Sequence, residues 1–323
     1  MTGAVRAEAA WRQLFRDRPI VPLTGLLGVL VVMSELARPG IVNPDWAAVI
    51  IRASIPLAIL AGCQTLAMLT GGIDLSVGAV ASMSGFLVAT LVNGPGVPAG
   101  IAVALIAAAL AGLVTGIGVG IFRVHPLIMT LAMGLVVLGL ANVWQIQMVQ
   151  TGVGVPGALR SIGSGNLLGI IPNSLIVFLP VAALILVGLR RTGYGRLLFA
   201  VGDNPVAARL AGARSWQVLI VLYVISAVMA AIAGFLYAGL TNVASVTLVD
   251  SAVLPSVAAA VIGGTSILGG RGGYGGTIVG ALILTVVTSL LSSLGYPEAV
   301  RQVLFGAIIV AVAAAYTRVT GES

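Results

Sequence analysis

The stretch R190-R-T-G-Y-G-R-L-L-F-A-V-G-D-N-P-V-A-A-R-L-A-G-A-R214 leads, through Ser215, into the run W216-Q-V-L-I-V-L-Y-V-I-S-A-V-M-A-A-I-A-G-F-L-Y-A-G-L240. The first part holds five of the sixteen basic residues of the chain and one acid, Asp203. The second part carries no charge over 25 residues, which is long enough for a helix to cross the hydrocarbon core of a bilayer. Basic segments beside such apolar runs are typical of the cytoplasmic loops of polytopic membrane proteins.

The composition of the whole chain agrees with a membrane location. Charged residues make up 8% of the 323 residues and hydrophobic residues 59%, whereas soluble domains contain about 25% charged residues. Because so few charges cannot cover the surface of a protein of this size, lipid must be its solvent. We therefore predict an all-α polytopic membrane protein, with a single transmembrane domain over residues 1–323.

Apolar runs that end at proline, glycine or charged residues predict about ten transmembrane helices. Either 74–92 or 253–269 could instead be re-entrant, which would reduce the count to eight or nine. The predicted spans are 19–37, 47–69, 74–92, 98–121, 126–148, 173–189, 216–240, 253–269, 274–294 and 300–317.

The distribution of arginine predicts the orientation. With the N-terminus inside, alternation of the ten spans places twelve arginines on the inner side and four at or near the outer side. This excess agrees with the positive-inside rule. We therefore expect both termini to be cytoplasmic, with residues 1–18 as a cytoplasmic N-terminal segment and residues 190–215 as a cytoplasmic loop.

Several classes of function find little support. The arginines stand singly or at the ends of segments, without the interleaved aromatic residues of a nucleic-acid surface, so no nucleic-acid partner is expected. The single cysteine, Cys63, provides no disulfide framework, and neither a metal site nor a cofactor is predicted. The single histidine, His125, precedes Pro126 at the start of a predicted span, where a capping or turn role is favoured over a catalytic one. No catalytic residue is predicted.

The source of energy is predicted to lie outside the chain. There is no lysine, so the glycine-rich segment I262-G-G-T-S-I-L-G-G-R-G-G-Y-G-G-T277 cannot be a P-loop, which requires one. The few carboxylates near the membrane lie at the ends of predicted spans. A proton-coupled transporter usually has ionisable groups deep within its helices, so this class finds little support. The glycine-rich segment is instead expected to form a broken segment near 262–276, a tight cytoplasmic turn built from Gly263, Gly264, Gly269, Gly270, Arg271 and Gly272.

A second glycine-containing break is predicted near 70–76, in L69-T-G-G-I-D-L-S-V-G78. Asp74 could simply cap the next helix, because a carboxylate at a helix start accepts from free N–H groups. The break could equally face a water-filled route, since irregular backbone within a membrane is tolerated where it lines a cavity. The candidate residues of a substrate pathway are Gln64, Thr65, Gly71, Gly72, Asp74 and Ser76, with Asn142 and Gln145 as weaker additions. By contrast, the spacing G112-L-V-T-G116-I-G-V-G120 is typical of close helix packing.

Three segments together resemble a known family. L69-T-G-G-I-D-L-S-V-G78, V201-G-D-N-P-V-A-A-R-L-A-G212 and V261-I-G-G-T-S-I-L-G-G-R-G-G-Y-G-G-T-I-V-G-A-L282 are similar to signatures of the permease subunit of ribose-type ATP-binding cassette (ABC) sugar importers. The wider family includes branched-chain amino acid permeases. The resemblance runs from about residue 20 to the last span, and one departure is Leu138, where sugar permeases often have arginine.

The resemblance implies a set of partners and a role for the basic loop. It implies a second permease subunit, cytoplasmic ATPase subunits that hydrolyse ATP, and an extracytoplasmic sugar-binding protein, all at the bacterial inner membrane. Within the loop, Asn204-Pro205 is typical of a helix start and Gly212 of a helix end. Ala207, Ala208 and Leu210 would form a small apolar face and Arg209 a charged contact, so the segment with Asp203 resembles an ATPase-coupling helix. A self-contained secondary transporter remains the alternative.

Overall fold

The computed structural model describes residues 20–92, 94–148, 154–167 and 169–320, so the predicted cytoplasmic segment 1–18 lies outside the described residues. Within them the regular structure is α-helical apart from one turn of 3-10 helix (Asp250–Ala252) and one antiparallel pair of two-residue strands, β1 (Asn166–Leu167) and β2 (Ile171–Pro172). The prediction of an all-α protein is confirmed. The helices are α1 (Ile20–Ala37), α2 (Pro44–Leu69), α3 (Val77–Leu91), α4 (Val97–Gly120), α5 (Pro126–Met148), α6 (Gly157–Ser164), α7 (Ser174–Arg191), α8 (Gly193–Asp203), α9 (Pro205–Leu210), α10 (Ser215–Thr241), α11 (Val253–Ile262), α12 (Tyr274–Ser293) and α13 (Glu298–Thr320).

Among the described residues, seven helices are long and apolar enough to cross a membrane: α1, α2, α4, α5, α7, α10 and α12. The predicted spans 74–92 and 253–269 contain shorter helices: α3 has 15 residues and α11 has 10. At 1.5 Å per residue, α11 is about 15 Å long, roughly half the thickness of the hydrocarbon core. The predicted helix over 253–269 is wrong beyond Ile262, because the glycines that follow take up conformations with positive φ.

Helix α10 is the centre of the bundle and packs against α2, α3, α4 and α6. On α4, Gly112, Gly116 and Gly120 all face α10. A methyl group on Gly116 would lie 2.6 Å from the Cα of Ile220, and one on Gly120 would lie 2.8 Å from the carbonyl oxygen of Trp216. The predicted packing role of this glycine spacing is confirmed, since any side chain would separate the two helices.

Both predicted breaks are present. Residues 70–76 are irregular between α2 and α3, and residues 263–273 are irregular between α11 and α12. The second break is shorter than predicted, because α12 already begins at Tyr274 and includes Gly275 and Gly276.

A third irregular stretch, residues 242–252, follows the end of α10 and turns back into the bundle. Its backbone is tied to α3, because the N–H of Val249 donates to the hydroxyl of Ser82 at 2.9 Å. Ser82 lies nine residues before the end of α3, which is about 13 Å along the helix axis. Val249 is fully buried. The stretch therefore packs beside the middle of α3 before α11 begins.

The basic stretch 190–215 is more regular than a loop. It contains α8, which the sequence analysis missed, and the predicted short helix, which is α9. The hydroxyl oxygen of Thr192 caps α8 by accepting from the N–H of Gly195, and Leu198 of α8 is completely buried. Tyr194 donates its hydroxyl to the carbonyl of Val218 at 3.1 Å, and burial raises the pKa of this phenol above its usual value. The stretch is thus fixed to the start of α10.

Candidate functional site

The break at 70–76 is organised around the buried carboxylate of Asp74. One oxygen, Oδ1, accepts from the backbone N–H of Ser76 at 3.0 Å and from its hydroxyl at 2.6 Å. The other, Oδ2, accepts from the hydroxyl of Ser226 on α10 at 2.7 Å. No arginine of the described ranges forms an ion pair with Asp74. The carboxylate is therefore held by hydroxyl and amide donors and ties the start of α3 to the central helix.

Gln64 holds the backbone of the same residue. Its side-chain NH2 donates to the carbonyl of Asp74 at 2.8 Å, while its Oε1 accepts from the N–H of Asp74 at 3.1 Å. The hydroxyl oxygen of Thr130 on α5 accepts from the N–H of Leu75 and lies 3.1 Å from the carbonyl of Ile73. Side chains of α2 and α5 thus satisfy backbone groups that the break leaves outside a helix.

The predicted pathway residues come together at the end of α2. Thr65 shares a hydrogen bond of 2.7 Å with Thr277 on α12, so this helix also joins the cluster. Gln64, Thr65, Asp74 and Ser76 are at most 5% exposed, so the cluster is buried. Asp74 accepts from Ser76, the residue before α3, and the break that it holds is enclosed by protein. Asn142 and Gln145 do not join the cluster, because they lie on the exposed side of α5.

Tyr223 is a polar residue beside the break that the sequence analysis did not single out. Its side chain is 1% exposed, and its hydroxyl has no hydrogen-bond partner among the described residues. A methyl group on Gly72 would lie 3.2 Å from this hydroxyl. Buried hydroxyls normally have partners, so the break keeps an unused donor within reach. The sequence gives no signal for this, because Tyr223 lies inside an uninterrupted apolar run.

A second polar surface lies where the third irregular stretch meets α3. The side chain of Asp250 is at the surface, with Thr247 and Ser251 exposed beside it. A methyl group on Gly78, in the first turn of α3, would lie 3.6 Å from a carboxylate oxygen of Asp250. The starts of α3 and α11 therefore meet here. The positions of these exposed polar groups follow from the folding back of 242–252, which no local pattern indicates.

The end of α8 touches Leu69, the last residue before the break, through backbone rather than side chains. A methyl group on Gly202 would lie 1.7 Å from the carbonyl oxygen of Leu69 and 2.9 Å from the nitrogen of Gly270. The N–H of Gly270 donates to the same carbonyl of Leu69 at 3.0 Å. We call this contact of Leu69, Gly202 and Gly270 the glycine junction. It joins the basic stretch, the break after α2 and the glycine-rich turn before α12.

The glycine-rich turn also packs α11 against α12. Gly264, Gly269, Gly270 and Gly272 all have φ between 68° and 139°, which non-glycine residues rarely adopt. The carbonyl of Arg271 closes the turn by accepting from the N–H of Ser266 at 2.9 Å. A methyl group on Gly263 would lie 2.5 Å from the backbone of Gly276, so the two helices meet without side chains. The prediction of a tight turn is confirmed.

Helix α9 presents a small exposed surface beyond the glycine junction. The side-chain oxygen of Asn204 accepts from the N–H groups of Val206 and Ala207, and Gly212 follows the helix at φ +88°. The predicted start and end are confirmed. The predicted apolar face needs one correction: Ala208 is only 6% exposed and points into the chain, whereas Val206 is 57% and Leu210 86% exposed. Their spacing of four residues places them on one side of the helix, so Val206 takes the place expected of Ala208.

The comparisons with known proteins agree with this architecture. The family described as the branched-chain amino acid transport system / permease component matches residues 47–313, and the chain belongs to this family. It is 32% identical to the ribose import permease protein of Bacillus subtilis (strain 168), over 89% of each chain. It is 34% identical to the ribose import permease protein of Escherichia coli (strain K12), over 89% of this chain and 90% of that one.

A relative named for a different sugar is nearly as similar. The fructose import permease protein of Rhizobium meliloti is 31% identical over 90% of this chain and 82% of its own length. No solved structure matches the chain. The class of protein is thus a multi-pass membrane permease, and its relatives are transport proteins rather than enzymes.

Proposed function

We propose that the chain is the transmembrane permease subunit of an ABC importer for a monosaccharide or a related small polar solute. It would lie in the bacterial inner membrane with about ten spans and both termini in the cytoplasm, and would pair with a second permease subunit. Separate cytoplasmic ATPase subunits would hydrolyse ATP, and an extracytoplasmic sugar-binding protein would deliver the solute. Similarity to ribose and fructose import permeases over about nine-tenths of the chain supports this proposal.

The observation that carries the proposal is the connection between an exposed docking surface and the break in the helix. Val206 and Leu210 are apolar side chains exposed on a short capped helix, and Arg209 beside them is exposed as well. From this helix, the chain leads back through Asp203 to Gly202 in the glycine junction. A soluble partner that moves α9 would therefore act on the break through closely packed backbone, which transmits displacement because it leaves no room to yield.

The buried network would hold the pathway closed in the conformation seen here. Gln64, Asp74 and Ser226 tie the break to α2 and α10 by hydrogen bonds between 2.7 and 3.1 Å. For these residues to contact a solute, the break must separate from α10 or α5. The unused hydroxyl of Tyr223 and the glycine at position 71, with φ 75°, are suited to such a change.

The exposed surface around Asp250 is the place where a solute would first meet the permease. A carboxylate and two hydroxyls can accept from and donate to sugar hydroxyls. Few aromatic side chains are available for stacking on a sugar ring, since they form only 5% of the chain. We therefore propose that most of the selectivity resides in the binding protein and that the permease provides a weakly selective route.

The experiment measures solute uptake into proteoliposomes that contain the permease and its ATPase. The binding protein is added on the side of the membrane that the extracytoplasmic face of the permease meets. The double variant Arg209→Glu/Gly212→Val reverses a charge on the docking surface and puts a β-branched residue at φ +88°. ATP-dependent uptake and ATPase association should both be lost. The matched control is Arg191→Glu/Gly295→Val, which changes an exposed arginine and a glycine at φ +80° outside the docking surface.

Two results would contradict the proposal. Undiminished association and uptake in the Arg209→Glu/Gly212→Val variant would reduce the stretch to a topological anchor. Uptake by the permease alone, driven by an ion gradient without an ATPase, would instead identify a secondary transporter.

A further inference from the structure

A basic cavity of about 550 Å³ lies between the end of α4 and the start of α10. Arg123, Arg209 and Arg214 line it, together with Ile121 and Trp216. Within the described ranges, none of the three guanidinium groups forms an ion pair with a carboxylate. Three cations around one cavity repel each other unless an anion lies between them, so the cavity is suited to a ligand with concentrated negative charge.

Arg123 occupies a backbone position that normally belongs to glycine. Its φ of 56° is left-handed, and it follows the last turn of α4, where the N–H of Phe122 donates to the carbonyl of Ile117. Glycine is the usual residue in this position because it has no Cβ to clash with the backbone. An arginine here is unfavourable for the backbone alone, and this indicates a role for its side chain in the cavity.

We propose that this cavity binds the phosphate of an anionic phospholipid headgroup. Guanidinium groups bind phosphate oxygens through paired hydrogen bonds, and basic pockets between transmembrane helices are suited to lipid headgroups. The apolar walls favour a lipid over free phosphate: Ile121 is 52% and Trp216 44% exposed, each at the end of a membrane-length helix. Tryptophan at such a position is typical of the membrane interface.

The position of the cavity gives the lipid a second contact. Arg209 belongs to α9 and lies beside the docking-surface side chains Val206 and Leu210, and Arg214 precedes α10. A bound headgroup would thus brace α9 against the end of α4 whether or not an ATPase is present. The proposal goes beyond the proposed function and does not depend on it.

The test is native mass spectrometry of the purified protein titrated with phosphatidylglycerol, with phosphatidylcholine as the neutral lipid. The variant Arg123→Gln/Arg214→Gln should bind phosphatidylglycerol about thirtyfold more weakly, since each arginine near a charged headgroup contributes roughly a fivefold factor. Phosphatidylcholine binding should not change. The control Arg190→Gln/Arg191→Gln removes the same charge from exposed residues outside the cavity and should change binding by less than about threefold.

A second variant separates lipid binding from folding. Arg123→Gly removes the guanidinium and also relieves the backbone at φ 56°. The melting temperature without lipid should rise, while the affinity for phosphatidylglycerol should fall. A residue that served only to end α4 would give a gain in stability with no change in affinity, and that result would overturn the proposal.

Three further results would also overturn it. If Arg123→Gln/Arg214→Gln and Arg190→Gln/Arg191→Gln weakened phosphatidylglycerol binding equally, the affinity would depend on the total charge of the protein rather than on this cavity. If Arg123→Gln/Arg214→Gln weakened the binding of inorganic phosphate but left the binding of phosphatidylglycerol unchanged, the site would belong to a free anion. Loss of ATPase association in Arg123→Gln/Arg214→Gln with unchanged lipid binding would assign the arginines to a protein partner.

Discussion

Replacing Gly202 by alanine is the most specific perturbation of the glycine junction. The added methyl group would lie 1.7 Å from the carbonyl oxygen of Leu69, whereas carbon and oxygen atoms normally approach to about 3.3 Å. The end of α8 would therefore have to move by about 1.6 Å away from the break. Overpacking of this kind typically costs 1–3 kcal/mol, against a gain of roughly 0.5–1 kcal/mol from the helix preference of alanine.

The displacement should also weaken the hydrogen bond from Gly270 to the carbonyl of Leu69, which contributes about 1 kcal/mol. We expect the free energy of unfolding, measured in detergent, to fall by roughly 1–3 kcal/mol. Because α9 itself is unchanged, the ATPase should still associate. ATP-dependent uptake should fall sharply, since the movement of α9 would no longer reach the break.

The matched control is Gly188→Ala on α7, where a methyl group would have no neighbour within 4 Å. This change should leave uptake intact and raise stability slightly through helix preference. If Gly202→Ala and Gly188→Ala gave the same stability and the same uptake, the glycine junction would not couple the two segments.

Two further predictions concern the polar residues. Asp74→Ala should abolish uptake and should destabilise the protein more than Ser226→Ala, which should cost about 1–3 kcal/mol, because the hydroxyls of both Ser76 and Ser226 lose their acceptor. Wild-type uptake by a correctly assembled Asp74→Ala transporter would exclude Asp74 from the pathway. Asp250→Asn should reduce the rate of solute uptake without changing the melting temperature, because this side chain is exposed. The control is Asp45→Asn, which changes another exposed carboxylate. If both variants reduced uptake equally, Asp250 would not contact the solute.

Much of the fold was predictable because a membrane imposes simple rules on sequence. Apolar runs located the long helices within a few residues, since lipid requires about twenty apolar residues for each span. The capped helix α9 was predictable because its start at Asn204 and its end at Gly212 are local signals. The glycines of α4 were recognisable because helix contact without side chains requires their regular spacing.

The remaining features depend on contacts between distant residues. The return of 242–252 into the bundle rests on a hydrogen bond between Val249 and Ser82, which no local pattern indicates. Ala208 was assigned to the exposed face because the period of a helix alone does not determine which side packs against the rest of the chain. The glycine junction likewise joins three segments that lie far apart in sequence, although each carries glycine.

In the proposed mechanism, an ATPase docked on α9 drives the permease. Thiol cross-linking tests it directly, because the single native cysteine, Cys63, is fully buried. In the assembled transporter, cysteine at position 206 or 210 should cross-link to the ATPase subunit. Cysteine at position 208, which is buried, and at position 184, on an exposed apolar side of α7, should not.

The cross-linking yield at positions 206 and 210 should also differ between the ATP-bound and ATP-free states of a transporter that imports solute. Equal yields at 184, 206 and 210, or no cross-link from 206 and 210 in a transporter that still imports solute with ATP, would contradict the account.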